Sequence, residues 1–262
     1  MHAPTTYSEV NQVIGQLLSE MQRVLGSKLV GLYLYGSLVS GDFDAEISDI
    51  DLLAVISTGL ENAEADKVSR MHQDFARSHG RWDDRIEVAY LSLAALQTFR
   101  TRSSMIGIIS PGEPFHLKEA GAAWLVNWYL VREYGRVIIG PPAEAIIGPV
   151  SREEFLSNIY MNAMAWRSRI MDLESRRGAQ VYAIMTMCRS CYTLQTGEHA
   201  SKKQAALWAQ EEWPQWKPFV EQALVWRESP EAEEGAALLQ TREFVEFAVD
   251  QCRLLFDGEG NL

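Results

Sequence analysis

No apolar run in these 262 residues reaches the roughly 18 that a bilayer-crossing helix needs, which excludes a helical membrane protein. Met1 to Val10 lacks the basic start and apolar stretch of a secretory leader, so a cytoplasmic location is expected. Cysteine is scarce: only Cys188, Cys191 and Cys252 occur, and a disulfide scaffold is excluded. Cys188 and Cys191 have the C-x-x-C spacing that elsewhere signals redox or zinc chemistry. Here they sit in the helix-like apolar stretch Val181 to Leu194 with no second ligand pair, and read as two buried small hydrophobes on neighbouring turns. Basic charge is also in deficit, 24 Lys and Arg against 35 Asp and Glu, a net −11. Such a chain repels a phosphate backbone, so neither a nucleic-acid nor a membrane partner is expected, whereas a small cationic substrate suits it. A monomer is expected. There is no internal repeat and no low-complexity segment.

What is present is ordinary globular composition, 47% hydrophobic and 23% charged. Val10, Val13, Ile14, Leu17, Leu18, Met21 and Leu25 recur at three- and four-residue spacing, which predicts an amphipathic helix over 7–25 stopped by Gly26. Leu29 to Tyr35, rich in β-branched and aromatic residues, reads as a strand punctuated by Gly36-Ser37. A polar stretch, Ser40 to Ser48, leads into a second strand, Asp49 to Ile56. Residues 61–79 are helix-compatible, and Arg85 to Leu91 is a third strand with Glu87 on the opposite face from Ile86 and Val88. Residues 92–147 give a weaker pattern: a helix over Ala120 to Tyr134 and a break at Gly140-Pro141-Pro142.

Beyond residue 150 the strand signal ends. Ser151 and Glu154 make a capping box that opens a helix running to about Arg176, interrupted at Gly178. Helices near 179–196, 201–211, 215–227 and 235–256 follow, separated by Thr196-Gly197, Trp213-Pro214 and Ser229-Pro230. The expected fold is an α/β (α+β) domain with a small mixed sheet over 1–148, then an all-α helical bundle over 149–262. Trp208, Trp213, Trp216 and Trp226 crowd into the bundle, where ring packing between helices is favoured over an aromatic cage for a cation.

The chemistry concentrates in the first half. Aspartates at i and i+2 of a strand point to one face, so Asp49 and Asp51 can grip one metal cluster. Mg²⁺ prefers a few carboxylates together with phosphate oxygens and water. Gly36 lets a phosphate approach the backbone, and Ser37 offers a hydroxyl and an N–H. Glu87 supplies a third carboxylate, as metal ligand or as the base that deprotonates an attacking hydroxyl. Taken singly, Asp-x-Asp often caps a strand and Gly-Ser is commonly a turn. Their order is far more specific: apolar strand, Gly-Ser, eleven residues, Asp-x-Asp heading a strand, then a carboxylate inside a third strand. Three carboxylates buried near one another without a cation would cost on the order of several kcal/mol. This is the inventory that nucleotidyl transfer from a nucleoside triphosphate requires.

Leu34-Tyr35-Gly36-Ser37-Leu38-Val39-Ser40-Gly41, followed by Ser48-Asp49-Ile50-Asp51-Leu52-Leu53, resembles the polymerase-β-type nucleotidyltransferases. Gly140-Pro141-Pro142 ahead of a helical half, and Arg189 to Gly197 with Lys202 and Trp208 beyond, are similar to the bacterial aminoglycoside O-adenylyltransferases that modify streptomycin or spectinomycin. The resemblance implies AMP transfer from ATP to an antibiotic hydroxyl. Asp49 and Asp51 would hold Mg²⁺, joined by Glu87, which is also the implied catalytic base. Gly36, Ser37 and Ser48 would contact the triphosphate, and Arg189 and Lys202 would reach the nucleotide phosphates. ATP and drug are then expected between the domains, where small ligands commonly bind. Streptomycin-modifying relatives carry acidic residues before the arginine-bearing helix. Here Glu174 to Gln180 is mostly basic or neutral, which favours spectinomycin over the guanidinium-bearing streptomycin. Asp84, Glu113 and Glu119 could lend a pocket negative charge, although solvated surface carboxylates are the commoner outcome. Two other readings stay open: a transferase of the same core that AMPylates a protein partner, as in toxin–antitoxin systems, or another small hydroxyl compound; and a nucleotide-binding regulator without turnover.

Overall fold

A computed structural model describes residues 3–172, 176–228 and 237–259. The chain divides into two compact units, Met1–Val150 and Ser151–Leu262. In the first, helix α1 (Ser8–Leu25) leads into strand β1 (Leu29–Tyr35), the short helix α2 (Ser37–Ser40), strand β2 (Ile50–Ile56), helix α3 (Asn62–Ser78) and strand β3 (Ile86–Ser92). Then come α4 (Leu93–Thr98), β4 (Ser104–Ser110), β5 (Glu113–Ala120), α5 (Leu125–Tyr134), β6 (Arg136–Ile139) and α6 (Ala143–Ile146). Among the described residues the strands form one sheet in the order β5-β4-β3-β2-β1-β6. Only β2 and β3 run parallel, so the sheet is mixed.

Both faces of the sheet are covered, and the period-2 alternation sorts the side chains between them. Leu32, Leu34, Leu52, Ala54 and Val88 face α1 and α3 in one apolar cluster. Tyr33, Tyr35, Leu53, Val55, Ala89 and Leu91 face α4, α5 and α6 in the other. Alternation therefore puts Asp51 and Glu87 on the second face, at the polar end of their strands. Each fully buried large apolar side chain contributes roughly 1.5–3 kcal/mol, so this double-sided core holds the strand register firmly.

Residues 92–147 depart from the sequence reading. They carry three strands that the reading lacked, and the expected helix over Ala120 to Tyr134 starts only at Leu125, because Ala120 closes β5. Gly140 follows β6 at φ 101°, and Tyr33 Oη donates to the Pro141 carbonyl at 2.8 Å, which anchors this turn on β1.

The second unit is helical: α7 (Arg152–Met164), α8 (Trp166–Arg169), α9 (Arg177–Thr196), α10 (Lys202–Glu212), α11 (Lys217–Glu228) and α12 (Leu238–Glu259). The capping box is present, with Glu154 N–H donating to Ser151 Oγ and Ser151 N–H to the Glu154 carboxylate. The single long helix to Arg176 is not: α7 ends at Met164 and the chain restarts as α8. Gly178 does not break a helix but lies inside the first turn of α9, where the N–H groups lack intrahelical partners anyway. The Ser229-Pro230 break, Glu174 and Ser175, and the first residues of the last expected helix lie outside the described residues. Helix α9 packs against α7, α10, α11 and α12 and is buried nearly all round.

One polar pair is embedded in the first unit's core. His72 Nε2 lies 2.7 Å from Tyr90 Oη, and burial depresses the imidazole from 6.5 to about 3. The unfolded chain takes up a proton below about pH 6.5 that the folded protein refuses until about pH 3. Stability is therefore lost as pH falls, by up to about 1.4 kcal/mol per pH unit. Urea denaturation between pH 7 and 5 should show this slope, and His72→Gln should flatten it by close to one proton; an unchanged slope would refute the assignment.

Candidate active site

The site begins where β1 ends. Gly36 adopts φ 70°, a conformation that favours glycine, and a Cβ there would overlap the Asp51 carboxylate. Only glycine lets the chain turn this close to Asp51. The turn continues as α2, with Ser40 N–H donating to the Gly36 carbonyl at 3.1 Å, and Gly41 ends it at φ 79°. The Ser37 hydroxyl is buried with no hydrogen-bond partner. An orphaned buried hydroxyl costs roughly 1–3 kcal/mol.

The loop that follows delivers Asp49. Ser48 Oγ accepts from Asp44 N–H at 3.0 Å, and Ser48 N–H returns to the Asp44 carbonyl at 2.9 Å. Arg85, stacked on Trp82 at 4.7 Å, donates to the Ser48 carbonyl at 3.1 Å and the Ala45 carbonyl at 3.0 Å. Ser48 thus sits beside the carboxylates, and its Oγ, as an acceptor, helps to shape the loop.

Strand register gathers the acids. Asp51 pairs with Glu87 across the parallel β2–β3 ladder, and Asp49 stands just before β2. One ligand atom each from Asp49, Asp51 and Glu87 lies within 4.8 Å of the others, and all three side chains are partly buried. Repulsion at that separation amounts to about 3 kcal/mol per pair at an effective dielectric of about 20. A divalent cation reverses the sign, and an all-oxygen carboxylate set with room for phosphate oxygens and water suits Mg²⁺. The residues therefore fit such an ion.

Sequence reading missed Tyr35. Its Oη donates to Glu87 Oε1 at 3.2 Å. Burial, then the negative charges of Glu87, Asp51 and Asp49, push the phenol well above its ordinary value, so it remains a donor. Its only sequence signal was an aromatic at the last position before the glycine; the antiparallel pairing of Tyr35 with Asp51 supplies the reason.

The remaining candidates belong to other elements. Arg189 lies on α9 and Lys202 opens α10, both in the helical unit. His199, in the segment between those helices, is held down at about 4 by burial and by the charge of Arg189. Asp84 is structural: at φ 58° its carboxylate accepts Gly112 N–H at 2.5 Å and ties the start of β3 to the β4–β5 turn. Glu113 and Glu119 are exposed. Trp213 and Trp216 meet Phe244 and Phe247 edge-on or tilted, and Trp208 meets Trp213, so these rings pack helices together. Arg177 lies over Trp226.

A mixed sheet presenting three carboxylates beside a glycine–serine turn is an arrangement of the nucleotidyltransferase class. Within that class the chain resembles the bacterial aminoglycoside adenylyltransferases. Residues 145–252 match the family model for the aminoglycoside adenylyltransferase C-terminal domain. An aminoglycoside (3'') (9) adenylyltransferase of Shigella flexneri is 25% identical over 232 residues, covering 82% of this chain and 84% of its own. A spectinomycin 9-adenylyltransferase of Staphylococcus aureus is 25% identical over 209 residues, 76% of this chain and 77% of the relative. The fold matches that of a spectinomycin adenyltransferase from Enterococcus faecialis crystallised with ATP and spectinomycin, with a TM-score of 0.73 at 16% identity over 92% of this chain and 98% of the other.

The orphaned hydroxyl yields a test. Ser37→Ala should leave the ligand-free melting temperature unchanged or slightly raised, because it removes an unsatisfied buried group. It should also reduce the stabilisation that Mg-ATP confers in a thermal-shift titration. Loss of stability without loss of nucleotide response would assign Ser37 to packing instead.

Proposed function

We propose that this protein transfers AMP from ATP to a hydroxyl of an aminocyclitol or aminoglycoside antibiotic, with Mg²⁺, as a cytoplasmic monomer that confers resistance. The observation that carries the reading is the convergence of Asp49, Asp51 and Glu87 beside Gly36 and Ser37. The substrate class rests on the relatives' activities.

In this reading Asp49 and Asp51, with Glu87, hold the metal, whose charge offsets that of the triphosphate and the leaving pyrophosphate. Ser37 offers its free hydroxyl to phosphate oxygens, and Gly36 lets the nucleotide come close to the backbone. Glu87 takes the proton of the acceptor hydroxyl. The oxygen then bonds to the α-phosphorus, the bond to the β-phosphate bridging oxygen breaks, and pyrophosphate departs. Arg189 and Lys202 contribute positive charge to the nucleotide phosphates. Spectinomycin is favoured over streptomycin because Arg176 and Arg177 stand where a guanidinium-bearing drug calls for acids.

Purified protein with Mg-ATP should release pyrophosphate only when an acceptor is present, faster with spectinomycin than with streptomycin. Asp49→Asn or Asp51→Asn should abolish turnover. Glu87→Gln should lower kcat by about 10²- to 10⁴-fold, with ATP binding much less affected. Full turnover in Glu87→Gln would remove the base assignment, and label from ATP appearing on a protein instead of the drug would overturn the acceptor class.

A further inference from the structure

We propose that Tyr35 is a positioning residue that fixes the Glu87 carboxylate for the transfer reaction, an inference that rests on the reading of Glu87 as the base. Three registered residues make the case. Tyr35 pairs with Asp51, and Asp51 pairs with Glu87, so the three lie in one lateral row across β1, β2 and β3 on the same face. Tyr35 and Glu87 are thus two strand spacings apart, about 10 Å. The Asp51 carboxylate leans onto Gly36, and the tyrosine ring reaches past it to place Oη 3.2 Å from Glu87 Oε1.

The ring alone does not explain a tyrosine here. Tyr35 is 5% exposed within the apolar cluster of Leu53, Val55, Ala89 and Leu91, and phenylalanine would pack the same space. The hydroxyl adds a polar atom to an apolar setting, which is tolerated when it is hydrogen-bonded. The bond to Glu87 Oε1 meets that need and restricts rotation of the carboxylate. One oxygen is anchored by the phenol, which leaves the other for the metal and the incoming hydroxyl. The two negative neighbours push on the Glu87 carboxylate, and the phenol opposes that push.

Tyr35→Phe keeps the ring and deletes the donor. With Mg-ATP and spectinomycin, kcat should fall on the order of 10²-fold, while KM for ATP changes by less than about twofold. The melting temperature should hold. In the Glu87→Gln background the same substitution should add less than about twofold, because Tyr35 acts through Glu87. Mn²⁺, titrated by electron paramagnetic resonance without nucleotide or drug, should bind Tyr35→Phe several-fold more weakly. Unchanged kcat overturns the proposal, as does a loss that is fully additive with Glu87→Gln. A collapse of melting temperature in parallel with activity would mark a purely structural tyrosine and also overturns it. Should the wild-type protein transfer no AMP, the reading of Glu87 as base fails, and Mn²⁺ affinity alone decides whether Tyr35 orients Glu87: weaker binding sustains it, equal binding refutes it.

Discussion

Asp49, Asp51 and Glu87 bring three like charges within 4.8 Å, and much of the first unit is arranged so that this repulsion can be borne. The parallel β2–β3 ladder forces Asp51 opposite Glu87, and that ladder is held by apolar side chains on both faces. The acids sit at the strand ends, where the apolar run gives way and part of each carboxylate meets water. Gly36 surrenders its side chain to make room for Asp51, and Tyr35 gives Glu87 a neutral donor. Arg85 holds the loop before Asp49 through backbone carbonyls.

Much of this was legible in the sequence. β1, β2 and β3 announce themselves because buried central strands are apolar on both faces and their polar ends stand out. The aspartate pair follows from spacing alone, since period-2 alternation needs no tertiary information to put Asp49 and Asp51 on one face; Glu87 joins them through the β2–β3 register. What the sequence hid is what depends on register. Nothing in Leu34-Tyr35-Gly36 says that the tyrosine hydroxyl meets a carboxylate 52 residues later. Nor does the sequence show that the Ser48 hydroxyl accepts from Asp44 N–H and so closes a local turn ahead of Asp49. Of the three strands that were missed, β5 and β6 are the edges of the sheet, and edges carry weak patterns. β5 begins Glu113-Pro114 and includes Lys118 and Glu119, β4 contains Gly107, and β6 spans only four residues. Proline and charge are what an edge tolerates and what a strand pattern lacks.

The helical unit shows the same split. Its helices could be read from caps and breaks, such as Ser151 with Glu154 and the left-handed Gly197. Their mutual packing could not. Cys188 and Cys191 are indeed buried and free, yet the neighbour of Cys191 is Cys252 on α12, with the sulfurs 3.0 Å apart. Burial pushes the Cys188 and Cys191 thiols well above their ordinary range, so the local spacing encodes helix packing rather than reactivity. The aromatic ladder from Trp208 through Trp213 to Phe244 and Phe247 serves the same end.

On the proposed reading, the acidic trio also explains how a chain of net charge −11 handles an anionic nucleotide. Three carboxylates facing a triphosphate repel it, so nucleotide alone meets an unfavourable field. Metal alone finds carboxylates but lacks the phosphate oxygens that complete a hard-cation shell. Each therefore raises the affinity for the other, and the coupling is reciprocal by thermodynamic necessity. Overall acidity is then no obstacle to nucleotide binding, because the attraction is local and arrives with the cation. The remaining negative surface stays free to favour a cationic acceptor, and Tyr35, a donor without charge, can steady Glu87 without weakening that field.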